Sequence, residues 1–413
     1  MINVAIVSAV FPPEPLVSAR LSLDLTIFLA DNGAQATVLC PSPSRPVGAK
    51  FSGYLEPECV GVVHEAGVDV VRLHSFTAPE SGIIGRMRES FSFGRHVCRY
   101  LDQHLADVDV VYANTWPLFS QALIACHCAR RGIPLVLHIQ DIYPESLLSK
   151  LPGLFGRVVA LPLMALDRWT VRQSARVVVI SENMRQTYVQ GRGLAPEKVI
   201  TIRNWVDESR FACLPAREAA CEKYNVPENL FTFLYLGNIG PVAGVEGLIE
   251  AFHVARLNAA QLVIAGDGSA KAACVELAKR LSVSNIKFIS DPDVENVPLI
   301  QSLGHIYLLP MRKGAGLSSI PSKLMAYLFS QRPVLATVDA EGDTARCIRE
   351  ANCGWVGEPE NVHWLADKMA EVSSIPESAL SALGQQGRAY GLRHFSKTEG
   401  VTRLGATILE AIG

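Results

Sequence analysis

The chain has 413 residues, of which 49% are hydrophobic and 19% charged, with a net charge of −2 and a pI near 6.6. That length exceeds what one hydrophobic core supports, and the composition is that of a well-buried α/β protein, so a lone small domain and a disordered chain are both excluded. The balanced charge also removes the whole-molecule positive field that gathers nucleic acid, which is therefore not expected as a partner.

The opening MINVAIVSAVFPPE begins as a strand and lacks the charged start and long apolar run of a signal peptide. ARLSLDLTIFLADNG (19–33) then reads as a helix stopped at its Asp-Asn-Gly end. ATVLC (36–40), VDVVRL (68–73), VDVVYA (108–113), PLVLHI (134–139) and RVVVIS (176–181) are β-branched runs without polar alternation. Helical segments separate most of them, which predicts a parallel, doubly wound sheet covered on both faces. Two intervening stretches are amphipathic. SGIIGRMRESFSFGRHVCRYL (81–101) mixes Ile, Phe and Met with Arg and His, and LPGLFGRVVALPLMALDRWTVRQSAR (151–176) sets Arg and Trp around a short apolar run. Each reads either as a core-facing helix or as a helix lying in a membrane interface.

Ten cysteines are scattered without a CxxC pair, and their only cluster is Cys126-His127-Cys128. Residues two apart on a helix point away from each other, so these are read as small buried thiols in a reducing cytosol, and no metal is expected. No run is long enough to span a bilayer.

HIQDIYPESL (138–147) follows a buried-type strand. It places His138, Gln140, Asp141 and Glu145 at the edge where ligands bind such sheets. His138 is read either as a catalytic group or as a hydrogen-bonded core histidine, and Asp141 either as a catalytic carboxylate or as a turn residue before Pro144. Glu145 is read either as an acceptor contact or as a helix-start carboxylate. The polar, proline-punctuated stretch 204–230 reads as a linker.

The alternation then restarts with FTFLYLGN (231–238), AQLVIAGDG (260–268), NIKFIS (285–290), HIYLLP (305–310), PVLATV (333–338) and CGWVGE (353–358). Three strand-to-loop junctions stand out. Gly237-Asn238-Ile239-Gly240 is a tight turn before a helix predicted near Val245. Asp267-Gly268 is a turn pair after the next strand. After HIYLLP comes MRKGAGLSSIPSK, where Gly316, Leu317, Ser318 and Ser319 lead to a helix expected near Pro321, with Lys323 in its first turn. A cation there opposes the helix dipole, and a diphosphate at the same helix end would account for it. The alternative is an ordinary solvated lysine. Neither a GxxxxGK[ST] loop nor a GxGxxG fingerprint occurs, so ATPase and dehydrogenase readings lose ground.

The ordered series YLGNIG, LVIAGDG, GLSSIPSK, QRPVLAT and CGWV resembles the C-terminal half of glycosyltransferase family 4. FPPEPLVSARLSLDLTIFLADNG, HIQDIYPESL, VVVISENM and VITIRNWVD resemble its N-terminal half, in the form found in bacterial O-antigen, capsule and exopolysaccharide transferases of the N-acetyl-L-fucosamine transferase type.

The resemblance implies the GT-B fold, an α/β architecture of two doubly wound Rossmann-like domains facing each other across a cleft. An acceptor domain would span 1–205 and a nucleotide-sugar domain 206–385. A helical segment, 386–413, would return to the first domain. It implies a retaining, metal-independent hexosyl- or N-acetylhexosaminyltransferase, acting in the cytoplasm or peripherally on the inner face of the plasma membrane. A UDP-sugar would be the donor and a glycan or polyprenyl-diphosphate-linked molecule the acceptor, in lipopolysaccharide or other surface polysaccharide synthesis. The diphosphate would meet Gly237, Asn238, Gly240, Asp267, Gly268 and Gly316 to Ser319, with Lys323 as its cation. His138 and Asp141 would be catalytic, and Ser18, Arg20, Gln140 and Glu145 would face the acceptor.

The chain departs from the family pattern at its acids. RKGAG carries none where one is usual, and Ala326 stands where an acid would meet the ribose. The basic residue usual after the GNIG turn is replaced by Val242 and Ala243, which leaves Arg312 or Lys313 as substitute cations. A nucleotide-sugar epimerase of the same fold and an inactive nucleotide-sugar-binding protein remain as alternatives.

Overall fold

The computed structural model describes residues 1–45, 62–65, 68–77, 82–115, 118–145, 153–211, 213–291, 293–315 and 320–413. The chain divides into two compact units, Met1–Asn204 with Thr398–Gly413, and Trp205–Lys397.

The first unit is built on β1 (Asn3–Ser8), β2 (Gln35–Pro41), β3 (Val62–Glu65), β4 (Val68–Leu73), β5 (Val110–Asn114), β6 (Leu135–Ile139), β7 (Arg176–Val179) and β8 (Val199–Thr201). They lie in the order β3-β4-β2-β1-β5-β6-β7-β8. Every pair is parallel except the edge pair β3–β4. The edge strand β3 was not expected, because four residues give too short a pattern to stand out. Strand order reverses between β1 and β5, which makes the carboxyl ends of those two strands this sheet's switch point.

The second unit carries β9 (Phe231–Leu236), β10 (Ala260–Ala265), β11 (Ile286–Ile289), β12 (Ile306–Pro310), β13 (Val334–Thr337) and β14 (Gly354–Gly357). Their order is β11-β10-β9-β12-β13-β14, all parallel, with the reversal between β9 and β12. Alternate residues serve opposite faces. Leu234, Val263, Tyr307 and Leu309 join one buried cluster, and Phe233, Tyr235, Leu262, Ile264 and Leu308 join the other. Both faces are therefore sealed by helices, which is why the strands read as continuous apolar runs. Each fully buried Leu or Ile here contributes about 1.5–3 kcal/mol.

The stretch expected as a linker is instead largely part of the second unit. Phe211, Ala220, Cys221 and Val226 are buried in its core, and Arg217–Tyr224 is helical. Its prolines punctuate short elements rather than loosen the chain. At the other end, the helix Lys397–Glu410 belongs with the first unit from Thr398 onward. Gly405 lies so close to the Phe28 ring that any side chain there would collide with it.

Candidate functional site

In the second unit, the loops after β9 and β10 are joined backbone to backbone. The Gly237 N–H donates to the Ala265 carbonyl at 3.0 Å, the Ile239 N–H to the Asp267 carbonyl at 2.8 Å, and the Ala270 N–H to the Ile239 carbonyl at 3.0 Å. Two glycines make this approach possible. Gly266, at φ +135°, faces the Gly237 carbonyl with no room for a Cβ, and a Cβ on Gly268 would lie 2.6 Å from the Ile239 carbonyl carbon. The helix Val245–Ala255 starts at Gly244 without a side-chain cap; its Gly247 N–H turns back to the Gly244 carbonyl at 3.2 Å, and the N–H groups before it face the end where a helix attracts an anion.

Lys323 enters from the helix Ser322–Phe329, which begins one residue after the expected Pro321. Its Nζ donates to the Tyr235 hydroxyl at 2.8 Å and lies 4.2 Å from the Tyr235 ring centroid. That hydroxyl in turn donates to the Asn238 carbonyl at 2.7 Å. The ammonium also packs on Gly237, where an added Cβ would sit 3.1 Å from Nζ. Burial lowers the Lys323 pKa from 10.5 to about 8. Among the described residues no carboxylate pairs with it. The protein thus holds a half-buried cation, with no counter-ion among the described residues, at the switch point of a parallel sheet.

The structure brings Gly237, Asn238, Gly240, Asp267, Gly268 and Lys323 into one cluster. The Asp267 carboxylate is engaged by the Lys271 ammonium at 2.7 Å, leaving its backbone as the part in the loop contact. Gly316, Leu317, Ser318 and Ser319 lie outside the described residues. Arg312 is not free to act as a substitute cation, because its guanidinium binds both Glu246 and Glu360. Lys313 is exposed.

In the first unit, a crevice of about 150 Å³ opens at the ends of β1, β5 and β6, lined by Ser18, Asn114, Thr115, Gln121, Gln140 and Asp141. Sequence reasoning missed Asn114, Thr115 and Gln121; the available signal was Asn-Thr directly after a buried strand. Ala9, Val10 and Ile139 supply an apolar part of the wall, and the polar groups are amide and hydroxyl apart from the exposed Asp141. Such neutral donors and acceptors suit sugar hydroxyls.

His138 settles into the interior of the sheet at 1% exposure. Its Nδ1 meets the Tyr112 hydroxyl at 2.7 Å, and its Nε2 meets the Gln140 amide nitrogen at 3.0 Å. The Gln140 nitrogen can only donate, so Nε2 accepts and Nδ1 carries the proton. Burial pushes the imidazole pKa down to about 3. Of its two readings, the geometry supports the hydrogen-bonded core histidine. The Gln140 oxygen accepts from Asn204 Nδ2 at 2.8 Å, which fixes the amide from both ends.

Arg20 is turned to Asp24 at 3.1 Å. Glu145 is not a free acceptor contact; it is the first helical residue after the turn at Tyr143 and Pro144, in line with its helix-start reading. Both its oxygens receive Arg192 Nη2, at 2.8 and 2.7 Å, while Arg192 Nε binds Asp167 at 2.6 Å.

Comparison with known proteins adds the context for these two sites. A family model described as Glycosyltransferase Family 4 matches residues 18–210, and one described as Glycosyl transferases group 1 matches residues 216–390. The putative colanic acid biosynthesis glycosyl transferase WcaI of Escherichia coli K12 is 28% identical, over 89% of this chain and 91% of its own. The probable glycosyltransferase WbjE of Pseudomonas aeruginosa is 22% identical, over 71% of this chain and 70% of its own. Anabaena HepE, solved in complex with UDP and glucose, superposes with a TM-score of 0.68 at 15% identity, over 99% of this chain and 100% of its own.

Proposed function

The chain belongs to glycosyltransferase family 4 and has the GT-B fold, and from that premise we propose that it is a retaining transferase using a UDP-sugar in surface polysaccharide synthesis. The donor's diphosphate binds the second unit, and a hexosyl or N-acetylhexosaminyl group passes to a glycan or polyprenyl-diphosphate-linked acceptor on the first. One observation carries this reading: the Lys323 ammonium, unpaired with any carboxylate among the described residues and held against Gly237 where the β9 and β10 loops meet. A leaving pyrophosphate supplies the charge this lysine lacks. The relatives WcaI and WbjE support the polysaccharide setting, and HepE with UDP supports the donor class.

In the transfer, the bond from the anomeric carbon to the diphosphate oxygen breaks, and the acceptor oxygen bonds that carbon from the same face. The acceptor proton leaves with the diphosphate. Lys323 neutralises the departing charge, so the chemistry proceeds without a bound metal. Asp141 orients the acceptor hydroxyl and stabilises positive charge at the anomeric carbon. His138 acts at one remove, by holding Gln140.

Purified protein incubated with a panel of UDP-sugars and lipid-linked acceptor, in the presence of a chelator, is expected to form product with the donor's anomeric configuration. Inversion of free UDP-sugar, or binding without turnover, would overturn the reading.

Asp141→Asn is expected to raise the acceptor KM or lower kcat by roughly tenfold to a hundredfold, the scale of one charge-assisted hydrogen bond. UDP affinity, read by calorimetry, should not move. A variant with unchanged acceptor kinetics would remove Asp141 from the site.

UDP affinity should also depend on pH through Lys323. The free protein's lysine titrates near pH 8. A bound polyanion favours the ammonium, so the bound-state pKa is higher. Below pH 8 the cation is already present and affinity is flat. Above it each binding event must take up a proton, and affinity should fall about tenfold per pH unit. A calorimetric titration series from pH 7 to pH 9.5 that stays flat would exclude this coupling.

A further inference from the structure

Two strands part at the switch point of the second unit. β9 and β12 are neighbours, yet they pair only at Phe233 with Ile306 and at Leu234 with Tyr307, although β9 runs on to Leu236 and β12 to Pro310. Past that point the Leu236 N–H turns to the Tyr327 hydroxyl at 2.9 Å. The same hydroxyl lies 3.2 Å from the Leu236 carbonyl oxygen and 3.4 Å from that of Leu308. A tyrosine side chain therefore closes the gap where backbone pairing stops. It also ties the helix Ser322–Phe329 to the sheet, with Lys323 one turn earlier on the same face.

Lys323 is held a second time, through its own ammonium. Nζ gives one N–H to the Tyr235 hydroxyl at 2.8 Å. That hydroxyl gives its single proton to the Asn238 carbonyl at 2.7 Å, so towards the lysine it can only accept. An ammonium has three N–H donors, and two remain. The Asn238 carbonyl is itself fixed, because the Gly237 and Ile239 N–H groups on either side of it hold the Ala265 and Asp267 carbonyls. The Tyr235 side chain is at 0% exposure in the core on one sheet face, which leaves its hydroxyl little freedom. The series ammonium, hydroxyl, carbonyl thus has one direction, set by the turn that the donor's diphosphate meets in the transferase reading.

Resting on that reading, we propose that Tyr235 is a positioning residue for the transfer: its hydroxyl holds the Lys323 ammonium against Gly237 and leaves two N–H groups to face the diphosphate. Tyr235 acts through the lysine and touches no substrate itself. A hydrogen bond to the charged form of a base favours that form, so the hydroxyl offsets part of the burial that pulls the lysine down to about 8. The other titratable groups around the pair are neutral or engaged. Burial raises Tyr327 on the same helix and Cys274 near Tyr235, and the Asp267 carboxylate is bound by Lys271.

Tyr235→Phe keeps the ring and deletes the hydroxyl. In the ligand-free protein, the Lys323 titration midpoint read by nitrogen NMR of lysine Nζ should fall by about one pH unit from its wild-type value near 8. UDP affinity by calorimetry should drop roughly threefold to tenfold at neutral pH, and the pH above which it declines should move down with the midpoint. A tyrosine that only braced the fold would weaken UDP equally at every pH and leave the midpoint in place. That result, or an unchanged affinity, would overturn the proposal. Tyr327→Phe deletes the hydroxyl one turn away; it should lower the melting temperature and keep the midpoint near 8, and an equal shift there would also overturn it. In a Lys323→Met background, Tyr235→Phe should change UDP affinity less than about twofold, and a loss as large as with the lysine present would count against it. Thermal melts identify any variant that fails to fold. One reading needs no variant: in the wild type the Lys323 ammonium protons should exchange slowly with water, and exchange as fast as at a surface lysine would overturn the hold. The midpoint is read without nucleotide, so a wild type that does not bind UDP sinks the transferase reading, whereas an unmoved midpoint sinks the role of Tyr235.

Discussion

Lys323→Met is expected to weaken UDP binding roughly 10–100-fold and to lower kcat by about 10²–10³, while the protein melts at the same or a higher temperature. The argument starts from charge. The ammonium has a tyrosine hydroxyl and ring for company but no carboxylate among the described residues, and burial pulls its pKa down to about 8. A base with a depressed folded pKa costs the fold stability in its charged form. That cost is present at neutral pH and disappears as pH rises from about 8 towards the unfolded value of 10.5. A structural lysine would have the opposite profile, because its loss would lower the melting point. Methionine keeps the packed stem and deletes only the charge, so it separates these cases. The functional effect should be largest in kcat, since the diphosphate gains most charge as the glycosidic bond breaks. Calorimetry with UDP, kcat from transfer to acceptor, and a melting curve read the three quantities. A lower melting point with unchanged UDP affinity would assign Lys323 to the fold instead.

The sequence displayed most of what is periodic and little of what is paired. Strands such as Val68–Leu73 and Phe231–Leu236 stand out because both sheet faces are buried, so apolar residues run uninterrupted. The glycine turns after β9 and β10 were legible because only glycine tolerates that backbone approach, and Gly237, Gly266 and Gly268 all have positive φ. Side-chain pairings between distant segments leave no such trace. Nothing local marks Arg312 as bound to Glu246 and Glu360, so the sequence alone leaves it available as a second cation. His138 sits two residues from Gln140 in a strand-to-loop segment, and only the Tyr112 hydroxyl from a neighbouring strand shows that its ring is fully engaged. The crevice residues Asn114, Thr115 and Gln121 escaped for a related reason. Each is an ordinary polar residue until the parallel pairing of β1, β5 and β6 sets them around one opening.

Arg192→Ala is expected to destabilise the first unit by about 3–5 kcal/mol, more at pH 8 than at pH 5.5. Arg192 is 2% exposed and lies in GRGL, where nothing sets it apart from a surface arginine. Its guanidinium holds Asp167 at 2.6 Å through Nε, and holds the Tyr143 carbonyl and both Glu145 oxygens through Nη2. Asp167 belongs to the helix Gly153–Gln173, while Tyr143 lies in the loop that carries Gln140 and Asp141, and Glu145 is the helical residue that ends it. One side chain therefore anchors the crevice loop to the body of the unit. Removing it leaves two carboxylates facing each other, with Asp167 at 3% exposure. Burial already raises the Asp167 pKa to about 6 against the lowering pull of Arg192. Without the guanidinium it rises further, so at pH 5.5 Asp167, already largely protonated with a pKa of about 6, stays neutral and little buried charge is left unpaired. At pH 8 neutralising it requires a proton from a more alkaline solution, and the penalty grows. Denaturant unfolding followed through the first unit's transition at the two pH values measures the difference. An equal loss at both would mean that Asp167 stays ionised and is resolvated by water, and the anchoring role of Arg192 would then reside in Glu145 and the Tyr143 carbonyl alone.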